Sequence, residues 1–152
     1  MHIPVLLNEV IEILDPKPGE NFIDATVSGG GHTKAILERV GDTGKVLGIE
    51  WDRKLFERLE LKVKSKKLKN LTLVNDSYTN LKQIVTEHHF ERFDGILFDL
   101  GMSNWHVEES GKGFSFLRDE QLDMRYDILN NQLTAQEVVN EYSQMELEKV
   151  IR

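Results

Sequence analysis

The sequence predicts an α/β protein with a doubly wound (Rossmann-like) parallel sheet. Two observations support this fold class. Short apolar runs alternate with segments of helical periodicity, which is typical of successive strand–helix units. A run of three glycines follows the first apolar run, where such a fold places a ligand-binding turn. The length of 152 residues corresponds to about one domain.

Four short apolar runs predict the strands of the sheet. They cover residues 21–25, 45–50, 71–75 and 93–99. Their length is that of fully buried strands. Segments of helical periodicity lie between them, at residues 33–40, 53–67 and 81–89. A further helical pattern precedes the first strand and is closed by Asp15-Pro16 and Pro18-Gly19.

The pattern changes after the fourth strand. Residues 101–131 contain glycines, aromatic side chains and many charges without a sustained period. A long irregular segment inside a domain is typically functional, so we predict an ordered active-site loop. Thr134 and Glu137 then form a capping box, which predicts one helix running to Arg152. No terminating Gly or Pro follows this helix, so we expect the chain to be part of a longer domain.

Composition and charge exclude several classes of protein and of binding site. The chain has no cysteine, which excludes disulfide scaffolds and thiolate metal sites. It shows neither a secretory signal nor the ~18 consecutive apolar residues of a membrane span, so the cytoplasm is the expected compartment. Residues 1–76 are neutral overall, and residues 77–152 carry the whole net charge of −7. This acidic half argues against a self-sufficient nucleic-acid binder.

Candidate site residues follow all four strands. The turn from Asp24 to His32 holds the three glycines, although its spacing does not fit G-x-G-x-x-G, which weakens a dinucleotide interpretation. Glu50 ends the second strand and can chelate both hydroxyls of a ribose. Tyr78 follows the third strand and suits stacking on adenine, and Asp99 follows the fourth. Carboxyl ends of parallel strands share one edge, so the sequence predicts a nucleoside cofactor site there.

Several longer motifs together resemble one known family. They are Pro4-Val5-Leu6-Leu7-Asn8-Glu9, the turn from Asp24 to His32, the run from Asp94 to Gly101, Gly113-Phe114-Ser115-Phe116 and Leu122-Asp123-Met124-Arg125. On these residues the chain resembles, over essentially its whole length, the bacterial MraW (RsmH) family of 16S ribosomal RNA cytosine-N4 methyltransferases.

The resemblance implies S-adenosylmethionine as cofactor, 16S rRNA of the small ribosomal subunit as substrate, and no metal. The implied cofactor-binding residues are Gly30, Gly31, His32, Glu50, Tyr78, Asp99 and His106. Asp99 is also the candidate catalytic residue, because its carboxylate can polarise the amino N–H of the acceptor base. The family usually has Asp at position 50, Gly at 28, Phe at 78 and Gln at 106.

The resemblance also carries expectations about organisation. Family members are roughly twice as long, so we expect residues 1–131 to be the N-terminal part of a methyltransferase domain, ending before its last strands. Residues 132–152 are expected to start a helical insertion. An incomplete sheet leaves apolar surface uncovered, so self-association or marginal stability is expected.

Two other functions and several structural roles remain open at this point. One alternative is a cofactor-binding fragment without turnover, in which this chain binds S-adenosylmethionine but methylates rRNA poorly or not at all; the other is an NAD-dependent oxidoreductase. Asp123 and Arg125 are expected to form an ion pair that orders the loop. His88 and His89 are expected at the surface, and Trp51 either rests on an adenine or covers the sheet edge. The lysines at 62, 64, 66, 67 and 69 are expected on a solvated helix end.

Overall fold

The computed structural model describes residues 4–152. The chain forms two compact units, one up to Gly101 and one from Met102 onward. The first unit contains the sheet with its helices, and the second contains short helices and irregular chain. None of the helices described is long and apolar enough to cross a membrane.

The first unit is built on a parallel sheet of four strands. The strands are β1 (Asn21–Asp24), β2 (Lys45–Ile49), β3 (Leu71–Val74) and β4 (Gly95–Leu97), in the order β3-β2-β1-β4. All four predicted strands and the α/β fold class are confirmed. The fourth strand begins two residues later and ends two residues earlier than predicted. Just before it, the Asp94 carboxylate accepts a hydrogen bond from the Asn21 amide, and just after it Phe98 is exposed.

Four helices accompany the strands of the first unit. They are α1 (Leu7–Leu14), α2 (Gly31–Val40), α3 (Arg53–Lys66) and α4 (Leu81–Glu87). Their positions match the predicted helical segments within a few residues. The helix α3 begins where the Asp52 carboxylate accepts bonds from the amides of Lys54 and Leu55. The lysines near its end are mostly exposed, and so are His88 and His89.

Two apolar cores lie on opposite faces of the sheet, because successive strand residues point to opposite sides. Phe22 and Val46 belong to the core formed with α1 and α2. Ile23 and Leu47 belong to the core that contains Ile84 of α4. Both faces of the central strands are therefore buried, which explains why their sequences are continuously apolar.

The second unit differs from its prediction in the helices. It contains α5 (Asn104–Glu108), α6 (Ala135–Glu141) and α7 (Gln144–Ile151). The capping box at Thr134 is confirmed, but the prediction of one helix from there to Arg152 is wrong. Tyr142 is extended, and Ser143 and Glu146 form a second capping box that starts α7.

Hydrogen bonds order the irregular chain of the second unit. The guanidinium of Arg125 donates to both carboxylate oxygens of Asp123, at 2.8 and 2.7 Å, which confirms the predicted ion pair. The buried Lys112 ammonium donates to the carbonyl of Arg125 at 3.0 Å and lies 5.9 Å from the centre of the Trp105 ring. The amide of Met124 donates to the carbonyl of Lys112. These contacts tie residues 105–125 into one compact segment.

Candidate functional site

The glycine turn connects β1 to the N-terminus of α2. Gly30 has a φ of 80°, in the left-handed region that favours glycine, and it precedes the first residue of α2. No side chain at this position caps the helix. Amides at an uncapped helix start can bind an anionic group, and the helix dipole favours negative charge at the same place.

The N-terminal segment lies directly against this turn. A Cβ placed on Gly31 would lie 2.1 Å from the Cγ of Pro4, so only glycine fits there. One residue on, Nε2 of His32 is 2.9 Å from the carbonyl oxygen of Val5. A carbonyl only accepts hydrogen bonds, so Nε2 carries the proton and donates. This bond fixes the buried imidazole ring at the start of α2.

Glu50 places a buried carboxylate beside the glycine turn. One carboxylate oxygen accepts from the amide of Asp52 at 2.8 Å, and the other accepts from the amide of Ser28 at 2.9 Å. Only 6% of the residue is exposed. Burial raises the pKa of the Glu50 carboxyl from its ordinary 4.5 to about 7, although the two amide bonds act in the opposite direction.

Ser28 combines an unfavourable backbone conformation with a buried, unpaired hydroxyl. Its φ of 50° lies in the left-handed region, which a serine adopts at a cost. Its hydroxyl oxygen is buried and has no hydrogen-bond partner among residues 4–152. Both features occur at the residue whose amide binds Glu50.

Asp99 lies just past the end of β4 and is held by the same turn. Its amide donates to the hydroxyl oxygen of Thr26 at 2.7 Å, and its carboxylate lies 3.8 Å from Nδ1 of His32. The side chain is 38% exposed and so accessible to a ligand. Asp24, in contrast, is fully enclosed and accepts from Thr33, and burial raises the pKa of its carboxyl. The structure thus separates a buried structural carboxylate from an accessible one.

Aromatic side chains flank the carboxyl edge of the sheet. Tyr78 follows β3 and meets Phe98, which follows β4, edge to face with 5.8 Å between ring centres. Since β3 and β4 are the outer strands, this contact spans the edge of the sheet. Trp51, next to Glu50, is partly exposed, and its carbonyl accepts from the side chain of Asn75. Flat apolar faces are therefore available beside the carboxylates.

The structure places six of the seven predicted binding residues in the first unit. They are Gly30, Gly31, His32, Glu50, Tyr78 and Asp99. His106 lies in the second unit, where its buried ring packs against Trp105, Phe114 and Tyr126. Its Nδ1 lies 2.9 Å from the hydroxyl oxygen of Ser103. In the part of the chain described, no group of three or more His, Asp or Glu side chains is arranged to hold a metal ion.

Three residues of this region were missed by the sequence analysis. Thr26 positions Asp99, Phe98 pairs with Tyr78, and Ser28 contacts Glu50 through its amide. A serine where the resembling family has glycine was the one available signal. The other two depend on contacts between distant parts of the chain.

Comparison with known proteins identifies the relatives of the chain. Residues 1–152 match the MraW methylase family. The chain is 42% identical to ribosomal RNA small subunit methyltransferase H of Caldicellulosiruptor saccharolyticus, over 99% of this chain and 48% of that protein. It is 43% identical to the protein of the same name from Fervidobacterium nodosum, over 99% of this chain and 50% of that protein. The chain thus spans about half the length of the curated relatives it matches.

Similarity to solved structures is more distant. A SAM-dependent methyltransferase from Aquifex aeolicus superposes with a TM-score of 0.42 and 22% identity, over 47% of this chain and 38% of that one. A SAM-dependent O-methyltransferase from Thermotoga maritima gives a TM-score of 0.47 and 21% identity, over 53% of this chain and 31% of that one.

Proposed function

Because the chain belongs to the MraW methylase family, we propose that it is a methyltransferase that uses S-adenosylmethionine to methylate N4 of a cytosine in 16S rRNA of the small ribosomal subunit. One observation carries the proposal. The buried carboxylate of Glu50 is joined to the glycine turn through the amide of Ser28, so a ribose-binding acid and an anion-binding helix start lie side by side.

The residues present fit this cofactor. Each carboxylate oxygen of Glu50 already accepts one amide bond, and each keeps a further lone pair for a ribose hydroxyl. The uncapped start of α2, at Gly30 and Gly31, suits the carboxylate end of the cofactor through its backbone amides. Tyr78, 38% exposed, offers a face for the adenine. His32 and Asp99 complete the proposed set in the first unit.

The proposed chemistry assigns Asp99 to the acceptor base. S-adenosylmethionine supplies an activated methyl group on its sulfonium sulfur. The N4 amine of cytosine is a poor nucleophile, since its lone pair is delocalised into the ring. The accessible carboxylate of Asp99 accepts a hydrogen bond from this amine and orients it, and the Thr26 hydroxyl holds Asp99 in place. The target base leaves its stack, and catalysis rests mainly on proximity and orientation.

His106 is proposed as a seventh cofactor contact, because the resemblance to the family implies it. Its buried ring is held by its aromatic neighbours and by Ser103. Glutamine, which the family usually has at this position, also offers one donor and one acceptor. A His106→Gln variant is therefore expected to retain cofactor affinity, while His106→Ala loses it.

The proposed RNA partner and compartment rest on the relatives. Proteins named ribosomal RNA small subunit methyltransferase H imply a substrate in the ribosome and, for this chain, a cytoplasmic location. Residues 77–152 carry a net charge of −7, which weakens attraction to phosphate. Residues 77–152 are therefore not expected to provide the phosphate-binding surface.

Calorimetric titration with S-adenosylmethionine, and separately with NAD, tests the cofactor. We expect S-adenosylmethionine to bind and NAD not to bind. Glu50→Ala is expected to weaken the binding of S-adenosylmethionine by about 1.5–3 kcal/mol, because charged hydrogen bonds are lost. Glu50→Asp keeps the charge and is expected to bind better than Glu50→Ala. Glu12→Ala, at an exposed position of α1, is the matched control. Unchanged affinity in a folded Glu50→Ala variant would remove Glu50 from the site.

Methyl transfer to isolated small ribosomal subunits tests turnover. The proposed enzyme class predicts transfer of a radiolabelled methyl group to 16S rRNA, and loss of this transfer in Asp99→Ala, which removes the acceptor oxygens. Binding of the cofactor without any transfer would favour the alternative of a binding module. Selective binding of NAD would contradict the proposed class of enzyme.

A further inference from the structure

We infer that Ser28 is a second ribose-binding residue. Its hydroxyl donates a hydrogen bond to one of the two ribose hydroxyls that themselves donate to Glu50. This inference rests on the proposed function, because it assigns a further side chain to the proposed cofactor site. It concerns a residue at which the resembling family usually has glycine.

Ser28 destabilises the protein without ligand in two ways. The residue has a φ of 50°, where glycine is favoured over any residue with a side chain. Its hydroxyl oxygen is buried without a hydrogen-bond partner among residues 4–152. Buried hydroxyls are normally paired, and an unpaired one destabilises the fold. Two unfavourable features at one residue of a ligand turn indicate a functional constraint.

Ser28 lies next to the carboxylate of Glu50. The amide of Ser28 donates to one carboxylate oxygen of Glu50 at 2.9 Å, and the Ser28 side chain branches from the carbon bonded to this amide nitrogen. A serine side chain has three staggered positions about its Cα–Cβ bond. The hydroxyl therefore can turn toward a ligand at Glu50 while the backbone and its amide bond stay in place.

A ribose bound to Glu50 needs a hydrogen-bond donor as well as an acceptor. A ribose hydroxyl has one proton, which it donates to the Glu50 carboxylate, and lone pairs that then need a donor. Carboxylates accept only, and the amides of Ser28 and Asp52 are already used by Glu50. The Ser28 O–H supplies a donor of the required kind at this place. The ligand class is thus a nucleoside with free 2′ and 3′ hydroxyls.

The experiment compares ligands that lack single hydroxyls. S-adenosylhomocysteine, a stable analogue, and its 2′-deoxy and 3′-deoxy forms are titrated into the wild-type chain, Ser28→Ala and Ser28→Gly. We expect both variants to bind the parent ligand about three- to tenfold more weakly. For one of the two deoxy ligands, this difference between wild type and variant should disappear, because the partner hydroxyl is already missing.

Two controls separate a ribose contact from a structural role. Ser28→Gly also relieves the left-handed backbone, so the variant without ligand is expected to unfold at a higher temperature while still losing affinity. Should Ser28→Ala fail to fold, Ser28→Gly gives the answer alone. Ser65→Ala, on the exposed end of α3, should bind like wild type.

The possible results are distinct. Wild-type affinity in both Ser28 variants would overturn the inference and leave the proposed cofactor intact. The same conclusion follows if the variants lose equal affinity for the parent and for both deoxy ligands. Absence of binding by the wild-type chain would overturn the proposed cofactor and this inference together.

Discussion

At the scale of single residues, Glu50 has an ionisable carboxyl that is almost completely buried from solvent. Two backbone amides stabilise its charged form, yet burial and the negative charges of Asp52 and Asp24 raise its pKa. The protein without ligand thus carries a destabilising charge above neutral pH. Ribose hydroxyls would give this charge the partners that water no longer provides.

The raised pKa predicts a pH dependence of stability. Because the folded-state pKa is about 7 and the ordinary value is 4.5, the folded state binds more protons than the unfolded state between these values. The contribution of Glu50 to the unfolding free energy is therefore fully present below about pH 4.5 and is lost as the pH rises through about 7. The expected loss is roughly 3 kcal/mol.

Urea unfolding of the wild type and of Glu50→Gln at several pH values measures this loss. Glutamine does not titrate, and the other carboxyls, including Asp24, are shared by both proteins. The difference in unfolding free energy should thus report Glu50. A difference that stays constant between pH 4.5 and pH 8 would show that Glu50 is not held in a high-pKa environment.

At the scale of elements, one side chain starts α3. The carboxylate of the fully buried Asp52 accepts from the amides of Lys54 and Leu55 at 2.9 and 3.2 Å. We predict that Asp52→Ala destabilises the protein by about 1–2 kcal/mol relative to Asp52→Asn, because asparagine keeps the cap. Both variants remove the charge next to Glu50, so their difference isolates the cap. Equal unfolding midpoints in urea would contradict this role.

The N-terminal segment contacts the start of α2 at Gly31. The Cβ of a Gly31→Ala variant would overlap Pro4, at 2.1 Å from its Cγ, so Pro4 must move and stability falls. We expect Pro4→Ala to relieve the overlap, with a coupling of about 0.5–3 kcal/mol in the double-mutant cycle. Chemical unfolding of the four proteins measures it. Strictly additive changes in the unfolding free energy would show that residue 4 and residue 31 do not interact.

Periodicity predicted the elements of the first unit because its strands are buried on both faces and its helices on one. Phe22 and Ile23 both lie in cores, on opposite sides of the sheet, and so the run is apolar throughout. The same method failed at Tyr142, where apolar spacing continues across a break. The signal for that break was local, since Ser143 and Glu146 have the spacing of a capping box.

The site could be located but not assembled from the sequence. The rule that parallel strands share a carboxyl edge brought Glu50 and Asp99 to the same region. It does not specify that the amide of Ser28 binds Glu50 or that Thr26 holds Asp99. These contacts join residues 22 and 73 positions apart, and they depend on the conformation of the turn.

At the scale of the whole molecule, the second unit exposes large apolar side chains. Phe116 is 96% exposed and Leu117 is 83% exposed. Exposed apolar surface of this kind favours association, so we predict that the 152-residue chain self-associates. Sedimentation velocity over a range of concentrations measures this, and Phe116→Ser with Leu117→Ser should shift the chain toward monomer. A monodisperse wild-type monomer at every concentration would contradict the prediction.

The location of Trp51 has a practical consequence. The chain contains two tryptophans; Trp51 follows Glu50 directly and is 38% exposed, whereas Trp105 is buried. A nucleoside that settles against Glu50 changes the polarity around the indole of Trp51, and its fluorescence emission should shift in wavelength and intensity. With Trp105→Phe as background, Trp51 is the sole tryptophan emitter. The protein thus carries an intrinsic optical reporter, and ligand affinities and association rates can be followed by stopped-flow without a dye or a radiolabel.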